Sequence, residues 1–243
     1  ILVRQASTNT LGTLHLKVTP KDEKDVTYIS YPDLVAGYGF VMTLKANGTV
    51  WGWGTNAYGK LGIGSASVTN SLQPVQAMRM DNKGELVPLT GIIKISVGQN
   101  HVLALDQEGV VWSWGQNKYG ECGQNSTSNC VYAVRVKDPA GTGYLGVSTP
   151  KIVEISATGN ANITGFSAFL DVSGNVYFAG SKPLDNFTGG GLSVERNYTL
   201  PFIISDKYPN FKNAIQLMSD GAARAFNVLK PNGEIYYSGG DYI

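Results

Sequence analysis

The chain has 243 residues, with 30 glycines and 10 prolines against 15% charged residues, enough for one sizeable core built from many short elements joined by turns. Its formal net charge of +1, without any long basic block, excludes the electrostatic footprint of a duplex nucleic-acid binder. No apolar run approaches the ~18–20 residues needed to span a bilayer, so no membrane span is expected.

Residues 1–29 stand apart from the rest. The opening Ile1-Leu2-Val3-Arg4 is not a signal peptide, and the chain reads as a processed or excerpted one, which leaves export open. Thr13 to Val18 alternates, with Leu14, Leu16 and Val18 on one side and His15 and Lys17 on the other, the pattern of a strand. A polar stretch, Thr19 to Asp25, follows. The region is expected either to end a preceding domain or to supply a strand that closes a ring by joining the last repeat.

From residue 30 the chain repeats. Residues 46–62 and 107–123 share the ungapped pattern G-x-V-W-x-W-G-x-N-x-Y-G-x-x-G, and such close recurrence marks an array of similar supersecondary units. An apolar residue before a turn recurs at Leu44, Leu105, Leu170 and Leu229, in steps of 61, 65 and 59 residues. The turns are Asn47-Gly48, Glu108-Gly109, Ser173-Gly174 and Asn232-Gly233, which predict hairpins with positive φ. After each comes a short aromatic strand. Alternation puts Trp51 with Trp53, and Trp112 with Trp114, on one strand face; the same positions become Tyr177 and Ala179, then Tyr236 and Ser238. Apolar strands are expected before each hairpin, at Leu34–Gly37, Ile93–Gly98, Ile152–Ser156 and Ile215–Met218, and after the motif tail at Pro74–Met80 and Val131–Val136. Each unit thus holds about four strands, the content of one propeller blade. The expected fold is all-β, a β-propeller with blades near 30–90, 91–150, 151–213 and 214–243.

This motif resembles the regulator of chromosome condensation repeat family, whose unit reads G-x-x-H-x-x-A-L-x-x-x-G-x-V-W-x-W-G-x-N-x-x-G-Q-L-G. The second unit matches at Gly98, His101, Ala104, Leu105, Gly109, Trp112, Trp114, Gly115, Asn117, Gly120 and Gly123. The first matches at Gly37, Leu44, Trp51, Trp53, Gly54, Asn56, Gly59, Leu61 and Gly62, with Phe40 where the histidine would stand. The resemblance implies a propeller that is usually seven-bladed, so four visible units suggest an excerpt, a smaller ring, or completion by another copy through self-association. The spacer Val136–Leu145 looks like that of bacterial, often cell-surface, members, which frequently follow immunoglobulin-like domains; residues 1–29 would then end such a domain, and the location would be extracellular or at the cell surface.

Candidate chemistry is sparse. His101 falls on the family's structural histidine and His15 on an outward strand face, and no G-x-S-x-G elbow supports a triad. Asp81, Glu85, Asp106 and Glu108 lie in or near turns, where acidic residues are expected without any acid–base role. Asp81–Glu85 is a poor imitation of a calcium loop, and Gly189–Gly191 lacks the lysine of a phosphate loop. No catalytic residue, metal ligand or cofactor site is therefore assigned. Cys122 and Cys130, the two cysteines, read either as buried small hydrophobe and neighbour or as a disulfide closing a loop in an oxidising compartment. The tryptophans read as core, with sugar stacking as the rival. Sequons occur at Asn47, Asn125, Asn162, Asn186 and Asn197 and matter only in a glycosylating host. The expected function is a non-catalytic binding or adhesion module whose irregular segments 63–73, 124–130 and 181–201 meet a protein or surface partner. A carbohydrate-binding or carbohydrate-active protein, with a glycan partner, and a structural assembly unit or enzyme-inhibitor module are the alternatives.

Overall fold

The computed structural model describes residues 30–160, 164–181, 197–219 and 226–238. The strand expected at Thr13–Val18, His15, the glycine triplet and the sequons at Asn162 and Asn186 lie outside them. The first sheet is an antiparallel meander of β1 (Asp33–Gly37), β2 (Phe40–Leu44), β3 (Val50–Thr55) and β4 (Asn70–Gln76) in that order. Two short strands, β5 (Met78–Met80) and β6 (Leu86–Pro88), then precede β7 (Ile92–Val97), β8 (His101–Asp106), β9 (Val111–Gly115) and β10 (Cys130–Arg135). A third sheet runs β11 (Ile152–Asn160), β12 (Thr164–Asp171), β13 (Val176–Ser181) and β14 (Asn197–Ile203). After the single-turn helix α1 (Ile204–Lys207), β15 (Gln216–Ser219), β16 (Phe226–Leu229) and β17 (Ile235–Ser238) form the fourth. These sheets are the blades of a β-propeller.

The hairpin glycines behave as their positions demand, with φ of 75° at Gly48, 84° at Gly109, 80° at Gly174 and 85° at Gly233. The loops are longer than a two-residue turn, however. Lys45 N–H donates to Thr49 O and Gly48 N–H to Lys45 O, so only the glycine needs the left-handed region. The same glycines also link blades: Gly48, Gly109 and Gly174 accept, through their carbonyls, from the N–H of Ile92, Ile152 and Ala214 of the next unit.

Three apolar clusters fill the spaces between successive sheets. Phe40, Met42, Leu44 and Val50 of the first sheet meet Val102, Ala104, Trp112 and Trp114 of the second. Leu103, Leu105 and Val111 on the second sheet's other face meet Phe169, Tyr177 and Ala179 of the third. Phe166, Phe178 and Phe226 fill the last gap, with ring centroids 4.9 to 6.4 Å apart. In the second and third units, then, the face bearing Trp112 and Trp114 or Tyr177 and Ala179 meets the preceding blade.

One expectation needs correction. The segment Pro74–Met80 is not one strand. β4 stops at Gln76, the fully buried Ala77 donates to Val50 O, and β5 crosses to the next blade. There it pairs in parallel with β10, Arg79 opposite Ala133, and the β5–β6 hairpin widens the second sheet to six strands, β6-β5-β10-β9-β8-β7.

Candidate functional site

The motif tail builds one face of the array. Asn56 is buried, and its amide donates to Ser65 O and Val68 O at 2.8 and 2.9 Å while its Oδ1 accepts from Leu61 N–H at 2.9 Å. Asn117 repeats the arrangement with Ser126 O, Ser128 O and Cys122 N–H at 2.8, 2.9 and 2.8 Å. Only a carboxamide both donates and accepts in this way, so the invariant role of this motif position is to tie a long loop to its own root. Gly59 and Gly120 let the same tails press on the next blade: a Cβ would lie 2.7 Å from Val131 Cα in one case and 2.6 Å from Thr199 Cα in the other.

The turns between the first two strands of the first and second blades join this face. Tyr38 N–H donates to Gln99 O across the blades, and Lys60 Nζ donates to Tyr38 O at 2.8 Å and Asn100 Oδ1 at 3.1 Å. Asn100 in turn donates to Gln116 Oε1. Lys60 is buried, which lowers its pKa. Its counterpart in the second unit is Glu121, also buried, whose Oε2 accepts from Tyr119 N–H at 2.7 Å. Burial pushes Glu121 up to about 7, against the pull of backbone N–H groups around Tyr119. With both charges buried, Lys118 is the exposed charged residue of segments 55–70 and 115–130. The remaining exposed residues are mostly Ser, Thr and Asn with Ala57, Ala66 and Val68 among them, and Tyr38 and Tyr58 are 67% and 47% exposed.

The residues singled out from sequence fall mostly into structural roles. His101 is buried between the second and third blades, 3.1 Å from Ser167 Oγ. Because the Ser167 hydroxyl donates its one proton to Glu121 O at 2.7 Å, His101 Nε2 is the donor of the pair. Burial holds this histidine neutral, with a pKa lowered to about 4. Asp106 Oδ1 accepts from the N–H groups of Glu108 and Val110, and its Oδ2 from Trp112 Nε1 at 2.9 Å. Asp171 does the same for Ser173 and Asn175, and its Oδ2 accepts from Tyr177 OH, again at 2.9 Å. The change from Trp112 to Tyr177 thus preserves a bond to the turn carboxylate. Asp81 likewise accepts from Lys83 and Glu85 N–H and closes the β5–β6 turn. These carboxylates hold hairpins.

Trp112 and Trp114 are buried, and Trp114 Nε1 donates to Lys60 O of the preceding blade, leaving neither a face for a sugar ring. Trp51 and Trp53 are half-buried on the outer face of the first blade, with Lys45 Nζ 3.9 Å from the Trp51 ring centroid. Cys122 fills the position of Leu61 and is fully buried; both thiols are free, and burial together with the adjoining Cys130 raises the Cys122 pKa. Among the described residues no three His, Cys, Asp or Glu side chains cluster as metal ligands, and no helix is long and apolar enough to cross a membrane. The loop-anchoring role of Asn56 and Asn117 was missed in the sequence, although the ungapped motif was its signal.

Comparison with known proteins agrees with this architecture. The regulator of chromosome condensation (RCC1) repeat matches residues 47–105 and 108–163. The human probable E3 ubiquitin-protein ligase HERC4 is 31% identical over 95% of this chain, which spans 19% of that protein. The zebrafish Protein RCC2 homolog is 30% identical over 57% of the chain, which spans 24% of its length. Among solved structures, human WBSCR16 superposes with a TM-score of 0.63 at 15% identity, over 86% of this chain and 47% of that one. Prp20p of Saccharomyces cerevisiae gives 0.57 at 20% identity, over 87% and 46%. The chain therefore spans less than half of each of these proteins. All four are eukaryotic and lend the bacterial, cell-surface expectation no support.

Proposed function

Because this chain is built from regulator of chromosome condensation repeats, we propose that its motif-tail face is a docking surface for a protein partner, without catalysis of its own. The observation that carries this reading is the pair of anchored loops at 55–70 and 115–130, whose exposed surface is Ser-, Thr- and Asn-rich, carries the exposed Tyr58 and is almost free of charge. Tyrosine supplies large contact area at low entropic cost, Ser and Asn supply adaptable hydrogen bonds, and an already ordered loop loses little freedom on binding. One solved relative fits: yeast Prp20 has one structure with Kap60 bound and another described with its binding to Gsp1p and histones. Those partners belong to those proteins, as ligase activity belongs to HERC4.

A photo-crosslinking residue placed at Tyr58 or Tyr38 tests the assignment against one at Glu108, which sits on the opposite turn face. A discrete protein adduct is expected from the first two positions and not from the third. Equal labelling from all three, or turnover of a glycan in a hydrolysis screen, would sink the reading.

A further inference from the structure

The hairpin inserted between the first two blades builds a second site at the outer rim. Parallel pairing of β5 with β10 brings the Arg79 guanidinium to 5.9 Å from the centroid of the Trp112 ring. Arg135, directly across from Trp112 on the adjacent strand, lies 5.1 Å from the same ring and 5.6 Å from that of Tyr144. Two cations from separate units thus share one indole. That indole is itself fixed by its bond to Asp106 Oδ2, and Gln124 Nε2 donates to Arg135 O at 2.6 Å. A cleft of about 300 Å³ opens between the hairpin and β10, with both guanidiniums, Tyr132 and Tyr144 on its walls.

Aromatic rings face both guanidiniums and Arg79 Nη1 also donates to Met80 O at 3.3 Å, but no carboxylate among the described residues lies within 4.0 Å of either. Asp81 is the acidic residue on the wall, and its Oδ1 is engaged by two backbone N–H groups of its own turn. Two guanidiniums against one carboxylate leave the walls with a single net positive charge. Converging like charges repel unless an anion joins them, and the planar guanidinium fork is shaped for an oxyanion. One further carboxylate neutralises these walls, whereas a phosphate dianion overshoots. Beside the cleft, the cross-strand pair Met80 and Leu86 leaves an apolar strip, 40% and 41% exposed, that a small free acid would not use. We infer that this rim cleft binds a glutamate or aspartate side chain presented by an acidic peptide segment of a partner. The site does not rest on the motif-tail docking face.

Calorimetric titration of the full chain with a blocked Gly-Leu-Glu-Leu-Gly peptide tests it. Binding is expected to weaken at least about tenfold in Arg79→Gln and in Arg135→Gln, and to fall with added salt. Tyr38→Ala and Tyr58→Ala, on the other face, are expected to leave it unchanged. Melting temperatures of Arg79→Gln and Arg135→Gln equal to that of the native chain separate lost recognition from a folding defect. Undiminished binding in those two variants, or equal binding of the Gly-Leu-Gln-Leu-Gly peptide, overturns the inference. Tighter binding of a phosphoserine peptide overturns the carboxylate assignment, and acetate binding as tightly as the peptide overturns the peptide assignment.

Discussion

The first and second units carry the same ungapped motif and use it in opposite surroundings. In the second, Trp112 and Trp114 are sealed against the first blade, and Trp114 Nε1 reaches back to Lys60 O. In the first, Trp51 and Trp53 sit half-buried on the outer face, one of them under the Lys45 ammonium. The position after the tail glycine holds Lys60 in one unit and Glu121 in the other, both buried. The motif therefore encodes a hairpin, an anchored loop and a face of aromatics, while the neighbouring blade decides how much each aromatic contributes. The loop anchor itself is indifferent to the neighbour, since Asn56 and Asn117 make the same three bonds.

The sharpest test of that contrast is a pair of truncations. Trp114→Ala is expected to cost about 3–5 kcal/mol in a denaturant titration, through the cavity and the lost bond to Lys60 O. Trp53→Ala should cost about 1 kcal/mol, because it gives up half-buried contact and no blade seam. Equal losses would break the comparison. Asn117→Asp keeps the acceptor for Cys122 N–H but removes the donor to Ser126 O and Ser128 O, at a cost of about 2–3 kcal/mol. Asn56→Asp should match it, and a difference well beyond 1 kcal/mol would show that the two loops are not held alike.

Glu121 distinguishes the units by pH. Its folded pKa of about 7 lies above the ordinary 4.5, so the folded state holds the extra proton between those values. Its stabilising contribution is complete below pH ~4.5 and is lost as pH rises through about 7, with ~1.4 kcal/mol per unit as the ceiling on the slope. Glu121→Gln should thus gain about 1–2 kcal/mol over the native chain at pH 8. It also exposes the contrary slope of His101, whose folded pKa of about 4 lies below 6.5, so stability falls as pH drops through that interval. Melting temperatures of both proteins from pH 4 to 8 check this; a gain that does not grow with pH would refute it. A comparably small effect belongs to Tyr177→Phe, about 1 kcal/mol, since Asp171 Oδ2 keeps its bond to Asn175 Nδ2. If that substitution is neutral, tyrosine has not inherited the part played by the Trp112 indole.

Much of the fold was legible because it is local. The register of Leu44, Leu105, Leu170 and Leu229 places a strand end before each hairpin, and the glycines after them take positive φ as their turns require. The later units were read as departures from the motif, yet Tyr177 restores the tryptophan's bond by another route and Phe166, Phe178 and Phe226 rebuild the seam. The docking face was legible in part. Segments 63–73 and 124–130 were marked as irregular, but the anchor that orders them was hidden in a motif residue taken for granted. Nothing local marked the rim cleft, because Arg79 and Arg135 meet only through a hairpin that leaves its own blade.

By itself the sequence determined what its repeats and short-range chemistry can specify: an all-β array and the hairpin positions. Those features need only alternation and positive φ at glycine. Which tryptophans are buried, how Lys60 and Glu121 are held, and that β5 joins the neighbouring sheet were decided by tertiary structure. Each depends on surface brought from another blade, and burial, pKa and parallel pairing are properties of that encounter rather than of the segment alone.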